Sequence, residues 1–120
     1  MNAKDLMVGD LVLLFGETPA RVDAIGDTEV YVYEEERGDW QVGYEHIKPI
    51  PLTAEIIEKN TDMKRVDSDS VTTYTFNDGI HATNVRMKGG MFSALGVPIP
   101  YVHDLQHCLK LVGIDKEITI

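Results

Sequence analysis

Apolar and polar residues alternate with a period of two through most of the first fifty positions, the signature of short half-buried strands. Leu11-Val12-Leu13-Leu14-Phe15 is an apolar run entered through Val8-Gly9-Asp10 and left through the turn Gly16–Pro19. In Arg21–Ile25, Val22 and Ala24 share one face. Past the Gly26-Asp27-Thr28 connection, Val30 and Val32 alternate with Tyr31 and Tyr33. A charged loop, Glu34–Asp39, leads to a strand in which Trp40, Val42 and Tyr44 alternate, and Ile47 follows. Four or five short strands separated by turn residues predict a small, strongly bent barrel.

Pro49 and Pro51 mark a boundary, because neither donates a ladder hydrogen bond and each holds its predecessor extended. Thr53 is placed to cap a short helix over 54–59, with Glu55 and Glu58 near its positive end and Ile56 and Ile57 turned inward. Asn60–Ser70 is polar and reads as a loop or an irregular strand. Val71–Phe76, the Asn77-Asp78-Gly79 turn and Ile80–Met87 form a hairpin pattern, and Lys88-Gly89-Gly90 turns again into Met91–Leu95. Tyr101–Val112 has helical spacing with Gly113-Ile114 as its stop, and Glu117–Ile120 is expected to close as a short strand. The fold class expected is α+β, mainly antiparallel β. Residues 1–51 resemble an SH3-like small barrel, and residues 52–120 form a hairpin meander with two helices, the whole making one compact unit.

Composition narrows the function. The chain has 120 residues, 43% of them hydrophobic, and twenty Asp and Glu against eleven Lys and Arg, a net charge of -9. That excludes a disordered chain, a collagen-like repeat and a spanning membrane helix. Eleven of the acidic residues and only four of the basic ones lie in residues 1–51, while residues 52–120 are nearly balanced. An acidic barrel disfavours a nucleic-acid role, since phosphates need a positive surface. Cys108 is the single cysteine and cannot form an internal bridge. The N-terminus carries no basic stretch leading into an apolar core, so a cytoplasmic protein with no membrane partner is expected. With no P-loop, dinucleotide fingerprint, G-x-S-x-G or cysteine-rich zinc pattern, no cofactor is expected.

Several residues invite a chemical reading. His103 and His107 stand at i and i+4 on the second helix with Asp104 between them, the spacing by which a helix offers two imidazoles to one zinc ion. Asp104 is a methylene shorter than the general-base Glu of that signature, and only Asp115 and Glu117 follow as possible third ligands. A helical projection sets the histidines opposite Tyr101, Leu105, Cys108, Leu109 and Val112, on the wetter face, which predicts surface or boundary histidines with weak adventitious metal binding. Trp40, Tyr31, Tyr33 and Tyr44 can line a ligand groove on the barrel or fill its core. Glu34, Glu35, Glu36 and Asp39 lack the spacing of a calcium loop and read as a solvated charge cluster, and Arg37-Gly38-Asp39 as turn chemistry. Cys108, on the apolar side of its helix, reads as a small hydrophobe.

Two segments carry a resemblance. Pro49-Ile50-Pro51-Leu52-Thr53 with Glu55-Ile56, and Tyr101-Val102-His103 with Leu105-Gln106, followed by Gly113 and Glu117-Ile118, resemble a family of small uncharacterised proteins from gut anaerobic bacteria, their prophages and mobile elements. The likeness spans residues 47–120, with the intervening hairpin matching only loosely. Family members commonly carry Asn at the position of His107, which implies a packing or docking role for this helix rather than a shared metal site. The resemblance implies a bacterial or phage origin and no particular activity. The expected function is a non-enzymatic protein-interaction or accessory module with a possible protein partner. The alternatives are a metal-dependent hydrolase using His103, His107 and Asp104, and a nucleic-acid-binding barrel.

Overall fold

Alternating sequences form strands here because each pairs one apolar face with a neighbour's and leaves the other to solvent. In the computed structural model, which describes residues 1–61 and 66–120, the chain is α+β with two antiparallel sheets. It divides into two compact units, Met1–Ile50 and Pro51–Ile120.

Unit 1 contains β1 (Leu11–Leu14), β2 (Thr18–Ile25), β3 (Glu29–Glu34), β4 (Gly38–Gly43), a 3₁₀ turn at Tyr44–His46 and β5 (Ile47–Pro49). The strand order is β4-β3-β2-β1-β5, and the sheet is open, with β4 and β5 as its edges. Val12, Leu14, Val22, Val30, Val32 and Ile47 are almost wholly buried in one core, against which Trp40 and Tyr44 pack. Burial of such side chains stabilises by roughly 1.5–3 kcal/mol each.

Three features depart from simple alternation. Asp23 is an extra residue in the β2–β3 ladder, where the register passes from Val22↔Val32 to Ala24↔Tyr31. This bulge turns Ala24 away from the Val22 face and leaves it exposed. Phe15 lies beyond β1, in the turn to β2, at φ +55. Tyr44 belongs to the 3₁₀ turn rather than to a strand, and its hydroxyl donates to the Gly26 carbonyl at 2.5 Å.

Unit 2 contains α1 (Ala54–Asn60), β6 (Val66–Ser68), β7 (Val71–Asn77), β8 (Ala82–Lys88), β9 (Met91–Ala94), β10 (Val97–Pro98) and α2 (Val102–Leu111). The five strands run as a meander, β10-β9-β8-β7-β6. Two-residue turns at Asp69-Ser70, Gly89-Gly90 and Leu95-Gly96 each place two successive residues at positive φ, as a twist-matched tight hairpin requires. Tyr74, Phe76, Val85 and Phe92 are buried on one face of the sheet. The Cys108 thiol hydrogen-bonds Thr83 of β8, so α2 lies against that face with Val102, Leu105 and Leu109 also buried.

Both helices begin and end as their sequences require. The Thr53 hydroxyl accepts the Ile56 N–H at 3.2 Å, and the Asp104 carboxylate accepts the Tyr101 N–H at 3.0 Å. Gly113 at φ +82, with Ile114 N–H on the Leu109 carbonyl and Gly113 N–H on that of Lys110, closes α2 in a Schellman motif. The extended lead-ins to the two helices pair with each other: Leu52 N–H donates to the Pro100 carbonyl at 2.9 Å, and Pro51 stands opposite Tyr101. No strand forms at Glu117–Ile120. The side-chain amide of Asn60 substitutes for a ladder there, accepting the Thr119 N–H at 2.8 Å and donating to the Thr119 carbonyl at 2.7 Å. Part of the polar stretch 60–70, residues 62–65, lies outside the described residues.

Candidate functional site

The four aromatic residues expected to line one groove fall on two faces of the unit 1 sheet. Direct pairing of Val32 with Trp40 and of Tyr31 with Gln41 sets Trp40 on the core side, while Tyr31 and Tyr33 project from the opposite side, each 43% exposed. Tyr44 joins Trp40 against the core. A one-residue offset along β3 is enough to separate them, since successive side chains point to opposite faces.

Trp40 instead belongs to a cluster that alternation alone does not announce. Phe15 meets it edge-on, with ring centroids 5.6 Å apart, and meets the His46 ring at 5.5 Å. The Phe15 N–H donates to the His46 carbonyl at 2.7 Å, which ties the β1–β2 turn to the 3₁₀ turn. Phe15 is 47% exposed and takes a left-handed conformation that costs an L-residue about 1 kcal/mol. Edge-to-face aromatic contacts of about 0.5–1.5 kcal/mol are of the size needed to offset that cost.

The guanidinium of Arg37 lies 5.6 Å from the Trp40 ring centroid, in cation–π range, and its Nε donates to Glu34 Oε1 at 2.8 Å. Glu34 is only 2% exposed, so it is a buried carboxylate at the end of β3 and not a member of a solvated cluster. Arg37 is carried on the tight β3–β4 turn, where Gly38 at φ +83 lets the chain reverse. The hydrogen bond from Arg37 to Glu34, reinforced by the charge of that carboxylate, holds the guanidinium above its ordinary pKa. Two polar atoms here are buried without a hydrogen-bond partner: Glu34 Oε2 and Trp40 Nε1. The arrangement amounts to an aromatic wall, a buried carboxylate and a cation held between them, with Glu35, Glu36 and Asp39 exposed nearby in sequence.

In unit 2, His103 differs from expectation. It is 4% exposed rather than on a wet face. The Tyr101 ring, at the N-cap, stacks on it at 5.7 Å and 8°, and His107 meets it edge-on at 5.5 Å. His103 Nε2 is 3.6 Å from Asp104 Oδ1. Among the described residues no group of three or more His, Cys, Asp or Glu gathers where it could hold a metal ion, and a hydrolytic zinc site needs three protein ligands. Cys108 is buried, and burial pushes its thiol pKa up, against the opposing hydrogen bond with Thr83. That is the opposite of what a nucleophile requires.

Phe15, Glu34, Arg37 and His46 went unrecognised as a cluster in the sequence. The available signal was Phe15-Gly16, an aromatic residue placed directly before a turn glycine rather than within an alternating strand. No helix among the described residues is long and apolar enough to cross a membrane. Comparison with family models, with curated proteins and with solved structures finds no match.

Proposed function

We propose that this chain is a non-enzymatic protein-interaction module, an accessory protein of a bacterium or its mobile DNA, whose unit 1 recognises a cationic segment of a partner protein. The observation that carries the reading is the Arg37 guanidinium held between Trp40 and the buried Glu34. A site that holds its own arginine has the chemistry to hold another: a ring face for the cation, a carboxylate for its N–H groups, and an unspent acceptor at Glu34 Oε2. The acidic excess of residues 1–51 favours encounter with a basic partner and opposes nucleic acid. We further read unit 1 as an SH3-like small barrel. The order β4-β3-β2-β1-β5 supports this, with a 3₁₀ turn before the last strand and a bulge that bends the long β2.

The test titrates the full chain with two fluorescent peptides that differ only in carrying Arg or Gln at central positions, at physiological salt. Saturable binding of the Arg peptide alone is expected, weakened in Phe15→Ala, whose side chain is half exposed and whose loss spares the core. Arg37→Ala, which empties the site of its own cation, should bind the Arg peptide more tightly. Equal binding of the two peptides, or unchanged affinity in both variants, refutes the proposal.

A further inference from the structure

We propose that the cleft between β8 and the β9–β10 turn of unit 2 is a binding site for a small ligand bearing an oxyanion, a carboxylate or a phosphate, with a short apolar body. The cleft has a volume of about 380 Å³ and is lined by Ala82, Asn84, Arg86, Ser93, Leu95 and Gly96 among others. That places it at the lower end of small-molecule sites. It arises because β9 pairs with β8 only as far as Val85↔Ala94. There β9 turns back into β10, while β8 continues to Ala82 along β7.

Cross-strand register decides what faces this opening. Arg86 stands directly between Thr73 on β7 and Ser93 on β9, and Asn84 follows two residues along β8 opposite Thr75. Directly opposite residues bring their Cβ atoms to about 5 Å, and i, i+2 neighbours to about 7 Å, so these three side chains share a patch of the size of one oxyanion. All three present donors. The Thr75 hydroxyl donates to Asn84 Oδ1 at 2.8 Å, which turns the two N–H groups of that amide outward. Neither those groups, nor the Ser93 hydroxyl, nor the Arg86 guanidinium has a partner among the described residues. A guanidinium fork beside a neutral amide and a hydroxyl matches a carboxylate or phosphate in geometry and charge.

The surrounding face is selective in the same sense. The outward positions of β7, β8 and β9 are Val71, Thr73, Thr75 and Asn77, then Ala82, Asn84, Arg86 and Lys88, then Met91 and Ser93. They include two cations and no carboxylate, in a chain with nearly twice as many acidic as basic residues. The apolar body would lie on Ala82 and Leu95. Leu95 is 52% exposed and sits at φ +52, in a turn whose first position favours Asn or Gly. Strained non-glycine residues of this kind gather at ligand clamps, and this one holds an apolar side chain at the rim of the cleft.

The experiment is a ¹H–¹⁵N NMR titration of the full chain, at constant ionic strength in chloride, with butyrate, its neutral counterpart butanamide, and inorganic phosphate. Saturable shifts confined to residues 82–86 and 93–96 are expected with butyrate or phosphate and not with butanamide. Arg86→Gln, at an exposed position, should weaken them at least about tenfold while leaving the remaining spectrum in place. If butyrate is the tighter of the two anions, and its advantage disappears in Leu95→Asn, the ligand is a carboxylate with an apolar body. If phosphate is tighter, the head group is a phosphate. The inference is overturned by absence of saturation with both anions up to about 50 mM. Shifts that persist in Arg86→Gln, or equal shifts with butanamide, overturn it as well.

Discussion

Asn60→Ala should destabilise unit 2 more than any other single polar substitution in that unit, because one buried amide holds the C-terminal segment. Asn60 is 5% exposed, and its Nδ2 donates to the carbonyls of Ile56 and Thr119 at 2.7 Å each. Its Oδ1 accepts the Thr119 N–H at 2.8 Å and the Thr119 hydroxyl at 3.2 Å. The long hydroxyl contact contributes little, and the other three bonds are each worth about 1 kcal/mol net. Water can reach part of the exposed Thr119 peptide once the amide is gone, so the expected loss is about 2–3 kcal/mol. At about 4 °C per kcal/mol for a chain of this size, Tm should fall by roughly 10 °C. Thermal and urea unfolding followed by circular dichroism give the magnitude, and native-state hydrogen exchange at the Thr119 amide gives the site. Thr119→Ala, which removes only the hydroxyl, should cost about 0.5 kcal/mol or less. Asn60→Asp should be worse than Asn60→Ala at neutral pH, since it aims a carboxylate oxygen at two carbonyls, and should recover partly on acidification as that oxygen gains a proton. A Tm within about 1 °C of the parent, or Thr119 protection unchanged in Asn60→Ala, would refute the clamp.

Three further outcomes are expected. Leu95→Asn relieves a left-handed conformation at an exposed turn position and should raise stability by about 0.5–1 kcal/mol, read as an increase in the urea midpoint at unchanged slope. The Cys108 thiol, buried and with its pKa raised, should react with a disulfide reagent roughly 100-fold more slowly in the native chain than in urea, the native rate climbing as pH rises. Asp78 accepts the His81 N–H at 2.6 Å and the Ile80 N–H at 2.9 Å, bonds that hold its carboxyl below the ordinary 3.8. Its stabilisation is therefore complete above that value and lost as pH falls through the lower folded value, so Asp78→Ala and the parent should differ at pH 6 and converge in acid unfolding below about pH 3.8.

Much of the fold was legible because local chemistry and tertiary demand agree. Thr53 caps α1, Gly113 closes α2, and Asn77-Asp78-Gly79 turns the β7–β8 hairpin where the sequence places them. What was not legible depended on register or on distant pairing. The bulge at Asp23 exposes Ala24, although the strand pattern gives it the same face as Val22. The segment Glu117–Ile120 has strand-like residues but is satisfied by the Asn60 amide rather than by a ladder, and no local pattern encodes a partner 59 residues away. His103 looked exposed because a helical projection counts only the apolar stripe, whereas the folded chain buries it to 4% with the Tyr101 and His107 rings against it. For the candidate site, Trp40 and the acidic turn were visible in the sequence. Alternation along β3 already separates Tyr31 and Tyr33 from the face of Val30, Val32 and Glu34, and what the pairing of β3 with β4 added is that Trp40 stands opposite Val32, on the buried side.

Charge is where that difference matters most. Counted along the chain, residues 1–51 are acidic and residues 52–120 nearly neutral, which suggests one polar partner type and one bland half. Sorted by face, the result changes in both units. In unit 1 one carboxylate of the acidic turn is turned inward and already occupied by a guanidinium, so the acidity is a built cation-holding group with exposed charge around it, not a diffuse field. In unit 2 the near-neutral total conceals a segregation, because period-two alternation puts Arg86 and Lys88 on the open side of β8 and no acidic residue on the outward positions of β7, β8 or β9. A net charge averages over surfaces that a ligand never meets together, whereas strand register assigns each charge to the surface a ligand does meet. The two sites are thus complementary in sign, and a substitution that removes the charge from one, such as Glu34→Gln or Arg86→Gln, should leave ligand binding at the other unchanged. Loss of both binding activities from either substitution alone would mean that the two ligand chemistries had been assigned to the wrong residues.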